Sequence, residues 1–262
     1  MKIVFLGTSK FSKIYLDALV QNGYEIVGLD MAPDLGVIAY YGKILPKRIL
    51  DIPKLGFINV HYSLLPRWRG PSPIQAALLA DDSKTGVTIS KVVEKADAGD
   101  IIAQKELLIS GDETYFEIER KLDDIGQALL IKSLPAWLGG KIIPQKQDEL
   151  EVTYSKMIKT EDGRIDWSKS AGEILNLIRA LSFNPGVFTF WNKKRLLIIK
   201  ASKEIALHNY KAGEVTKTAS GFKIACKNGF LIPLLIKFEG KKETTPESFL
   251  HGNSKIINAT LI

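Results

Sequence analysis

A short polar stretch, "INVHYSLLPRWRG", places three side chains that can do chemistry on one face of a strand. Asn59, His61 and Ser63 are spaced two residues apart, and alternate residues of a strand point to the same face. Polar groups aligned in this way do not build a core. Asn59 and His61 lie near the carboxyl end of the predicted strand "GFINVH", which is where open α/β sheets bind ligands, so the pattern indicates a ligand site.

A second polar loop, "EKADAGD", offers a carboxylate partner for the histidine. It follows the predicted strand "GVTISKVV" and is expected to open on the same side of the sheet, so that Asp97 could reach His61. Two structural alternatives remain open on local sequence. His61 taken singly would be a buried histidine satisfied by hydrogen bonds, and Asp97, two residues before Gly99, would be a turn former that caps its own loop.

An asparagine, a histidine and an aspartate together suit acyl transfer to an amine. They supply an amide donor, a group that titrates near neutrality and a charge that orients it. The attacking amine must lose a proton, and α-amino groups have pKa values of roughly 8. An imidazole held by a carboxylate can help to remove that proton.

Two other kinds of site do not fit the sequence. A serine hydrolase is disfavoured because Ser63 is too close to His61 on one face and no GxSxG elbow is present; we expect Ser63 to bond backbone groups of its own loop. Gly7 in "GTSKF" lacks the further glycines of a dinucleotide fingerprint, which favours a structural role in strand–helix packing.

The elements around these loops predict an α/β fold. "KIVFLG" reads as a buried strand, followed by an amphipathic helix with Ser9 as N-cap and Gly23 as its stop. Further apolar runs at 25–29, 36–41, 56–61 and 86–93 alternate with helical stretches, which predicts a doubly wound parallel sheet. However, only the six residues 30–35 join the second run to the third, and a parallel crossover needs a dozen or more. Either the second strand is short or absent from the parallel sheet, or the pair forms an antiparallel edge.

A second, smaller unit follows a polar stretch that begins around residue 139. It opens with the helical pattern "SAGEILNLIRALS" and continues with five short strand-like runs at hairpin spacing, which predicts a small barrel. The net charge is −1 over residues 1–150 and +8 over residues 151–262. This asymmetry indicates that the second unit meets a polyanion such as nucleic acid, or else that its basic surface is simply solvated.

Composition limits the remaining possibilities. The single cysteine, Cys226, cannot form an intramolecular disulfide, and the three dispersed histidines form no metal-ligand cluster, so we expect chemistry without a metal. The apolar run near the amino terminus, 3–6, is too short for a signal peptide or a membrane span. We therefore expect a cytoplasmic protein without a membrane partner.

Several segments resemble the methionyl-tRNA formyltransferase family: "INVHYSLLPRWRGPSPIQAAL", "TGVTISKVVEKADAGDII", "AYYGKILP", "RIDWSKSAGEILNLIRAL" and the ending "FEGKKETTPESFLHG". Together they span nearly the whole chain. The N-x-H-x-SLLP run with a downstream D-x-G is shared by 10-formyltetrahydrofolate-dependent transferases in general, so those letters indicate only the reaction type. The resemblance is narrowed to the methionyl-tRNA formyltransferase family by "RWRG", "IDW" and the basic second unit.

The resemblance implies a fold, a reaction and a set of site residues. The fold is α/β, with a Rossmann-like, mostly parallel catalytic domain at 1–138, a linker at 139–156 and an OB-like β-barrel that binds tRNA at 157–262. The reaction moves the formyl group of 10-formyltetrahydrofolate to the amino group of initiator methionyl-tRNA for translation initiation. "AYYGKILP" and "EKADAGD" resemble the loops that hold the pterin, and we expect a monomer. The implied catalytic residues are Asn59, His61 and Asp97, and the implied folate-contacting residues are Ser63, Leu64, Leu65 and Pro66.

One departure from the family lies at "DMAPDL", where members carry several tens of additional residues, including a basic loop that enters the tRNA acceptor stem. We expect a smaller sheet that lacks strands on one edge, with the chemistry-bearing segments intact. Either Arg67, Arg69 and the basic second unit take up more of the tRNA binding, or recognition is loosened.

Two alternative functions stay open. A formyltransferase that acts on an amino sugar nucleotide would share the N-x-H-x-SLLP trio, although a small nucleotide needs no basic surface of this size, whereas phosphate contacts dominate nucleic-acid affinity. The chain could also bind RNA without catalysis, but the intact Asn59, His61 and Asp97 argue against this.

Overall fold

The structure is a computed structural model that describes residues 1–262. It divides into two compact units. The first comprises Met1–Ala77, Asp82–Gly111 and Phe116–Met157, and the second Leu78–Asp81, Asp112–Tyr115 and Ile158–Ile262. Among the helices, none combines the length and the apolar content that crossing a lipid bilayer requires.

The first unit is built on a six-stranded sheet with the order β2-β1-β3-β4-β5-β6. Its strands are β1 (Lys2–Leu6), β2 (Glu25–Ile26), β3 (Leu35–Ala39), β4 (Phe57–His61), β5 (Lys84–Lys91) and β6 (Ile101–Leu108). Its helices are α1 (Lys13–Gln21), α2 (Lys47–Leu50), α3 (Pro73–Leu79) and α4 (Tyr115–Leu138). The predicted α/β architecture is confirmed, since β1–β4 pair in parallel.

The sheet is mixed rather than doubly wound in parallel throughout. β5 runs antiparallel to β4, and β6, which the sequence pattern did not reveal, runs antiparallel to β5. The parallel direction expected for "GVTISKVV" is therefore wrong. An apolar run predicts a strand but not its direction, and the nine residues 92–100 between β5 and β6 are too few for a parallel crossover.

The short length and edge position of β2 explain how only a few residues can connect it to β3. β2 has only two residues and pairs in parallel with β1, while β3 lies on the other side of β1. The crossing is fixed at Asp34: its backbone N–H donates to the Lys2 carbonyl (2.8 Å), and its carboxylate accepts from the Lys2 N–H (2.9 Å) and the Lys54 ammonium (2.7 Å). A short second strand was one of the predicted alternatives.

The helix that follows β1 begins and ends where its sequence predicts. The Ser9 hydroxyl caps the preceding 3₁₀ turn by accepting from the Phe11 N–H, and Gly23 follows the end of α1 with a φ of +79°. Inside the unit, α1 and α4 meet closely. A Cβ at Gly126 of α4 would lie 2.2 Å from the Tyr15 hydroxyl of α1, so only glycine fits there.

The second unit is an antiparallel sheet with the order β7-β8-β11-β10-β9, to which β12 adds by pairing with β11. Its strands are β7 (Phe188–Trp191), β8 (Lys194–Ile205), β9 (Val215–Thr218), β10 (Gly221–Cys226), β11 (Gly229–Phe238) and β12 (Glu243–Thr244), and its helices are α5 (Ala171–Leu181) and α6 (Pro246–Asn253). The predicted helix and the five predicted strands are confirmed. Residues 258–262 hydrogen-bond to both outer strands: Asn258 N–H donates to Val215 O, and Ile262 exchanges two bonds with Phe190.

Gly36 lies at a point where β3 and β4 are closely packed, and its substitution tests this packing. It pairs with Phe57, and a Cβ at position 36 would lie 2.0 Å from the Phe57 ring. Because overpacking a filled core costs about 1–3 kcal/mol, Gly36→Ala should lower the free energy of unfolding by that amount in a urea titration. Gly252→Ala, at a position of α6 with open space around it, is the matched control and should be as stable as the parent or up to about 1 kcal/mol more stable, because alanine has the higher helix propensity. Equal stabilities for the two variants would contradict the packing described.

Candidate functional site

The structure brings Asn59, His61 and Asp97 together at the carboxyl end of β4. One carboxylate oxygen of Asp97, Oδ1, lies 3.4 Å from Asn59 Nδ2 and 3.6 Å from His61 Nδ1. The His61 side chain is 6% exposed and that of Asp97 16%. These separations are long for hydrogen bonds, so the carboxylate faces both groups without being saturated by either.

Asp97 reaches this position by a different route from the one expected. Because β5 is antiparallel to β4, Lys91 pairs with Ile58, and the loop after β5 starts beside the amino-terminal end of β4. The loop then folds back over the face that bears Asn59 and His61. The expected opening at the same end of the sheet is therefore wrong, although Asp97 does approach the histidine.

The Asp97 loop is held by two local features. Asp97 Oδ2 accepts a hydrogen bond from the Gly70 N–H at 2.8 Å, so the carboxylate binds another loop rather than capping its own. Asp97 has a φ of +53°, a left-handed conformation that aspartate tolerates better than most residues. At Gly99 a Cβ would lie 1.8 Å from the Lys91 carbonyl oxygen, so the return of the loop requires glycine.

A buried arginine supports the same loop through a glutamine. Gln147 Nε2 donates to the carbonyls of Asp97 (2.8 Å) and Gly99 (2.7 Å), and Gln147 Oε1 accepts from Nε and Nη2 of Arg69. Arg69 is fully buried and also donates to Glu149, at 2.7 Å. Hydrogen bonds from Arg69 and Lys95 hold the pKa of Glu149 below its usual value. Arg69 therefore cannot contact a tRNA. The expectation that Arg69 could take up part of the tRNA binding is wrong.

The neighbours of Arg69 in "RWRG" also have hydrogen-bond partners within the protein. The Arg67 guanidinium makes a two-pronged contact with Asp82, which accepts from Trp68 Nε1 as well. The Trp68 N–H donates to Thr153 Oγ1, and Arg69 exchanges backbone hydrogen bonds with residues 153 and 155. Part of the segment expected to be a linker thus packs along this loop and fixes it.

The hydrogen bond of His61 to the same loop determines where its protons lie. Nε2 of His61 is 2.9 Å from the Trp68 carbonyl oxygen. A carbonyl only accepts, so Nε2 carries a proton. In the neutral ring, Nδ1 is then unprotonated, and it faces Asp97 Oδ1 at 3.6 Å. The Nε2–H of His61 is thus committed to the Trp68 carbonyl.

These groups line a cavity of about 620 Å³. Its wall consists of residues that follow β1 and β3, the end of β4, Gly70 to Pro73, and the Asp97 loop. The lining residues include Thr8, Ala39–Leu45, Asn59–Tyr62, Gly70, Pro71, Pro73, Ser90–Glu94, Ala96 and Asp97. The segments "AYYGKILP" and "EKADAGD" therefore form much of the wall. No group of three or more His, Cys, Asp or Glu side chains is arranged to hold a metal ion.

The residues Ser63 to Pro66 do not line this cavity. The Ser63 hydroxyl donates to the Arg67 carbonyl at 2.5 Å, as expected for a residue that bonds its own loop. Leu65 is buried, its N–H donates to Thr88 Oγ1 (3.1 Å), and its carbonyl accepts from Gln104. In this structure these four residues shape the loop between His61 and Trp68.

Three tyrosines and an aspartate form a hydrogen-bonded cluster beside the cavity. The hydroxyls of Tyr40 (2.8 Å) and Tyr62 donate to Asp123 Oδ1, and the Tyr15 and Tyr62 hydroxyls are 2.8 Å apart. Burial raises the pKa of each tyrosine, so all three stay neutral donors, and burial also raises the pKa of Asp123. Tyr40 and Tyr62 line the cavity, and the shared carboxylate joins the ends of β3 and β4 to α4.

Sequence reasoning missed several supporting groups. The Trp68 carbonyl and the Gly70 N–H are backbone atoms, and only the family motif "RWRG" drew attention to that loop. Gln147 lies in a segment without periodicity and gave no signal. The Tyr15–Tyr40–Tyr62–Asp123 cluster joins four distant positions, which no local pattern could connect.

Two parts of the chain match known protein families. Residues 20–134 match the Formyl transferase family, and residues 157–254 match the Formyl transferase, C-terminal domain family. Methionyl-tRNA formyltransferase of Bacillus licheniformis is 36% identical over 299 aligned residues, covering 96% of this chain and 95% of the relative. That of Roseiflexus castenholzii is 40% identical over 300, covering 96% of each. Both alignments exceed 262 residues, so they contain gaps in this chain.

Solved structures share the fold. HypX from Aquifex aeolicus in complex with tetrahydrofolic acid has a TM-score of 0.72 at 20% identity, covering 95% of this chain and 47% of that one. An N-formyltransferase from Helicobacter canadensis, in complex with folinic acid and dTDP-3-aminofucose, also has a TM-score of 0.72 at 20% identity, covering 89% and 98%. At these identities the comparison establishes an α/β formyltransferase fold.

The hydrogen bonds of the tyrosine cluster lead to a prediction about the free energy of unfolding. Asp123→Ala leaves the Tyr40 and Tyr62 hydroxyls without their acceptor, and orphaning a buried donor costs about 1–3 kcal/mol. The free energy of unfolding should fall by that amount in a urea titration. Asp124→Ala, at the exposed neighbouring position, is the control and should leave the midpoint unchanged. If both variants unfold at the parent midpoint, the cluster does not stabilise the protein.

Proposed function

Because the chain belongs to the methionyl-tRNA formyltransferase family, we propose that its site transfers the formyl group of 10-formyltetrahydrofolate to the amino group of initiator methionyl-tRNA. The observation that supports this most directly is the Asp97 carboxylate between the Asn59 amide and the His61 ring, at the edge of a cavity of suitable size. We assign residues 1–138 to the catalytic domain, 139–156 to the linker and 157–262 to the tRNA-binding domain.

The reaction needs a proton acceptor and a donor to a developing negative charge. The nitrogen lone pair of the methionyl amine forms a bond to the formyl carbon, and the C=O π pair moves to oxygen. The amine loses a proton. The carbonyl then re-forms, the bond to N10 of the folate breaks, and N10 takes up a proton. In total, one formyl group moves to the amine and one proton moves to N10.

The roles of the trio follow from their hydrogen bonds. Asn59 is the donor to the formyl oxygen, since a side-chain amide can donate and is uncharged. The free Nδ1 of His61 and the Asp97 carboxylate together receive the amine proton and return it to N10. This assignment makes His61 a base rather than the electrophile, because its Nε2–H is engaged by the Trp68 carbonyl.

The folate is proposed to occupy the cavity between the Tyr40–Leu45 and Val92–Asp97 segments. A volume of about 620 Å³ lies within the range of ligand pockets, roughly 300–1,000 Å³. Residues of both segments line it, and we propose that their backbone groups bind the polar edge of the pterin. In this arrangement Ser63, Leu64, Leu65 and Pro66 act on the folate indirectly, by holding the loop that carries the Trp68 carbonyl.

The second unit is proposed as the tRNA-binding part, in the form of an OB-like barrel. Residues 258–262 bond both outer strands of its sheet, which is the arrangement that closure of a barrel needs. Its positive charge favours a nucleic-acid acceptor over an amino sugar nucleotide. Arg69 is excluded from this task by its burial, and the exposed Arg67 is paired with Asp82, so we propose that the second unit supplies most of the binding.

An acceptor assay tests the proposed function. With 10-formyltetrahydrofolate as donor, formyl should appear on methionyl-tRNA and not on a dTDP-linked amino sugar. Because general acid–base catalysis contributes about 10²–10⁴-fold, His61→Ala should lower kcat by at least about 10²-fold.

Two controls sharpen this assay. The exposed His251→Ala variant should keep its rate, and His61→Ala should bind tRNA with an unchanged Kd. Turnover with the sugar alone would establish the alternative acceptor. Binding of tRNA without turnover by the parent chain would leave only an RNA-binding function.

The salt dependence of tRNA binding tests the second unit. Lys193 and Lys194 are exposed at the turn between β7 and β8. Since Lys193 has a φ of +62°, we choose Lys193→Asn with Lys194→Ala, because asparagine tolerates that conformation. The slope of log K against log salt should become shallower by about 1–2. Lys13→Ala, which removes a lysine paired with Asp17 in the first unit, should leave the slope unaltered; an equal slope in both variants would rule out this surface.

A further inference from the structure

We infer that Ser90 is an additional catalytic residue, whose hydroxyl donates to the formyl oxygen beside Asn59. Ser90 is 1% exposed, lines the cavity, and its Oγ makes no hydrogen bond within the protein. A buried hydroxyl without a partner costs free energy. Its retention at the wall of a ligand cavity indicates that a ligand completes its hydrogen bonding.

The strand pairing places Ser90 next to Asn59. The two residues are directly opposite each other in the antiparallel β4–β5 pairing. Opposite residues of such a pair project to the same face with Cβ atoms about 4.5–5.5 Å apart. An oxygen atom bound by the Asn59 amide is therefore within reach of the Ser90 hydroxyl.

A bulge lies at the same position. The pairing of β5 with β6 shifts between Ile89 and Ser90, because Ile89 pairs with Ala103 and Ser90 with Ile101. β-Bulges re-aim side chains and are common beside active sites. The extra residue, Ile102, lies on β6, while the β4–β5 pairing stays in regular register and keeps Ser90 opposite Asn59.

The proposed mechanism has room for a second hydrogen-bond donor to the formyl oxygen. The Nε2–H of His61 is bonded to Trp68, and Nδ1 is reserved for the amine proton. Asn59 is then the only member of the trio that can donate to the developing oxyanion. Sites of acyl transfer commonly use two donors for that oxygen, and Ser90 Oγ–H supplies the second. This inference rests on the proposed formyl transfer.

The test compares Ser90→Ala with Thr85→Val. Thr85 lies on the same strand, is buried with an unpartnered hydroxyl, and does not line the cavity. Both variants remove an unpaired buried hydroxyl, so neither should lower Tm. Loss of one oxyanion donor costs about 10²-fold in rate. Ser90→Ala should therefore lower kcat by about that factor with little change in KM for 10-formyltetrahydrofolate, while Thr85→Val keeps the parent kcat.

Two further measurements separate the outcomes. Tetrahydrofolate lacks the formyl oxygen, so its Kd should be unchanged in Ser90→Ala; a Kd that rises as much as kcat falls would place the hydroxyl on the ring and overturn the assignment. Ser90→Cys keeps a weak donor of similar size and should have an intermediate kcat. If Ser90→Ala keeps the parent kcat, the role of Ser90 is refuted. An unmodified chain that formylates no acceptor would instead refute the proposed function.

Discussion

The Gly70 N–H donates to one oxygen of Asp97, and this hydrogen bond joins two loops that are 27 residues apart in sequence. It leaves the other oxygen directed at Asn59 and His61, so a single carboxylate is shared between a fixed backbone donor and these two side chains. The Trp68 carbonyl, two residues before Gly70, orients His61 in the same way. The conformation of one short loop, 67–70, therefore positions both His61 and Asp97.

That loop can hold a fixed shape because its polar groups are satisfied from several directions. Arg69 is buried, and burying a cation is costly unless it is paired and hydrogen-bonded. Gln147 and Glu149 accept from it, and Gln147 in turn donates to two carbonyls of the Asp97 loop. A chain segment that appears irregular in sequence thus connects the two loops of the site. Loss of Gln147 would leave Nε of Arg69 without an acceptor and two carbonyls of the Asp97 loop without their donor.

The short crossing between β2 and β3 leaves this arrangement intact for a topological reason. Every segment that lines the cavity begins at Thr8 or after residue 37, and the crossing hydrogen-bonds to β1, Lys54 and Leu55, none of which lines the cavity. The parallel pairs β1–β3 and β3–β4 survive with their carboxyl ends together. A sheet can lose residues at an outer edge while its central strands still present their loops on one side.

Residue types, two-residue spacing and motif similarity were enough to predict that Asn59, His61 and Asp97 lie together, that the chain forms two units, and where most strands lie, because these features are local. The sequence alone could not determine the direction of β5, the existence of β6 or the route of the Asp97 loop, since an apolar run is equally compatible with either strand direction. Nor could it show that Arg69 is buried, that Ser63 to Pro66 lie off the cavity, or that Tyr15, Tyr40 and Tyr62 converge on Asp123. Those outcomes depend on which distant groups satisfy one another's hydrogen bonds, and only the tertiary structure decides that.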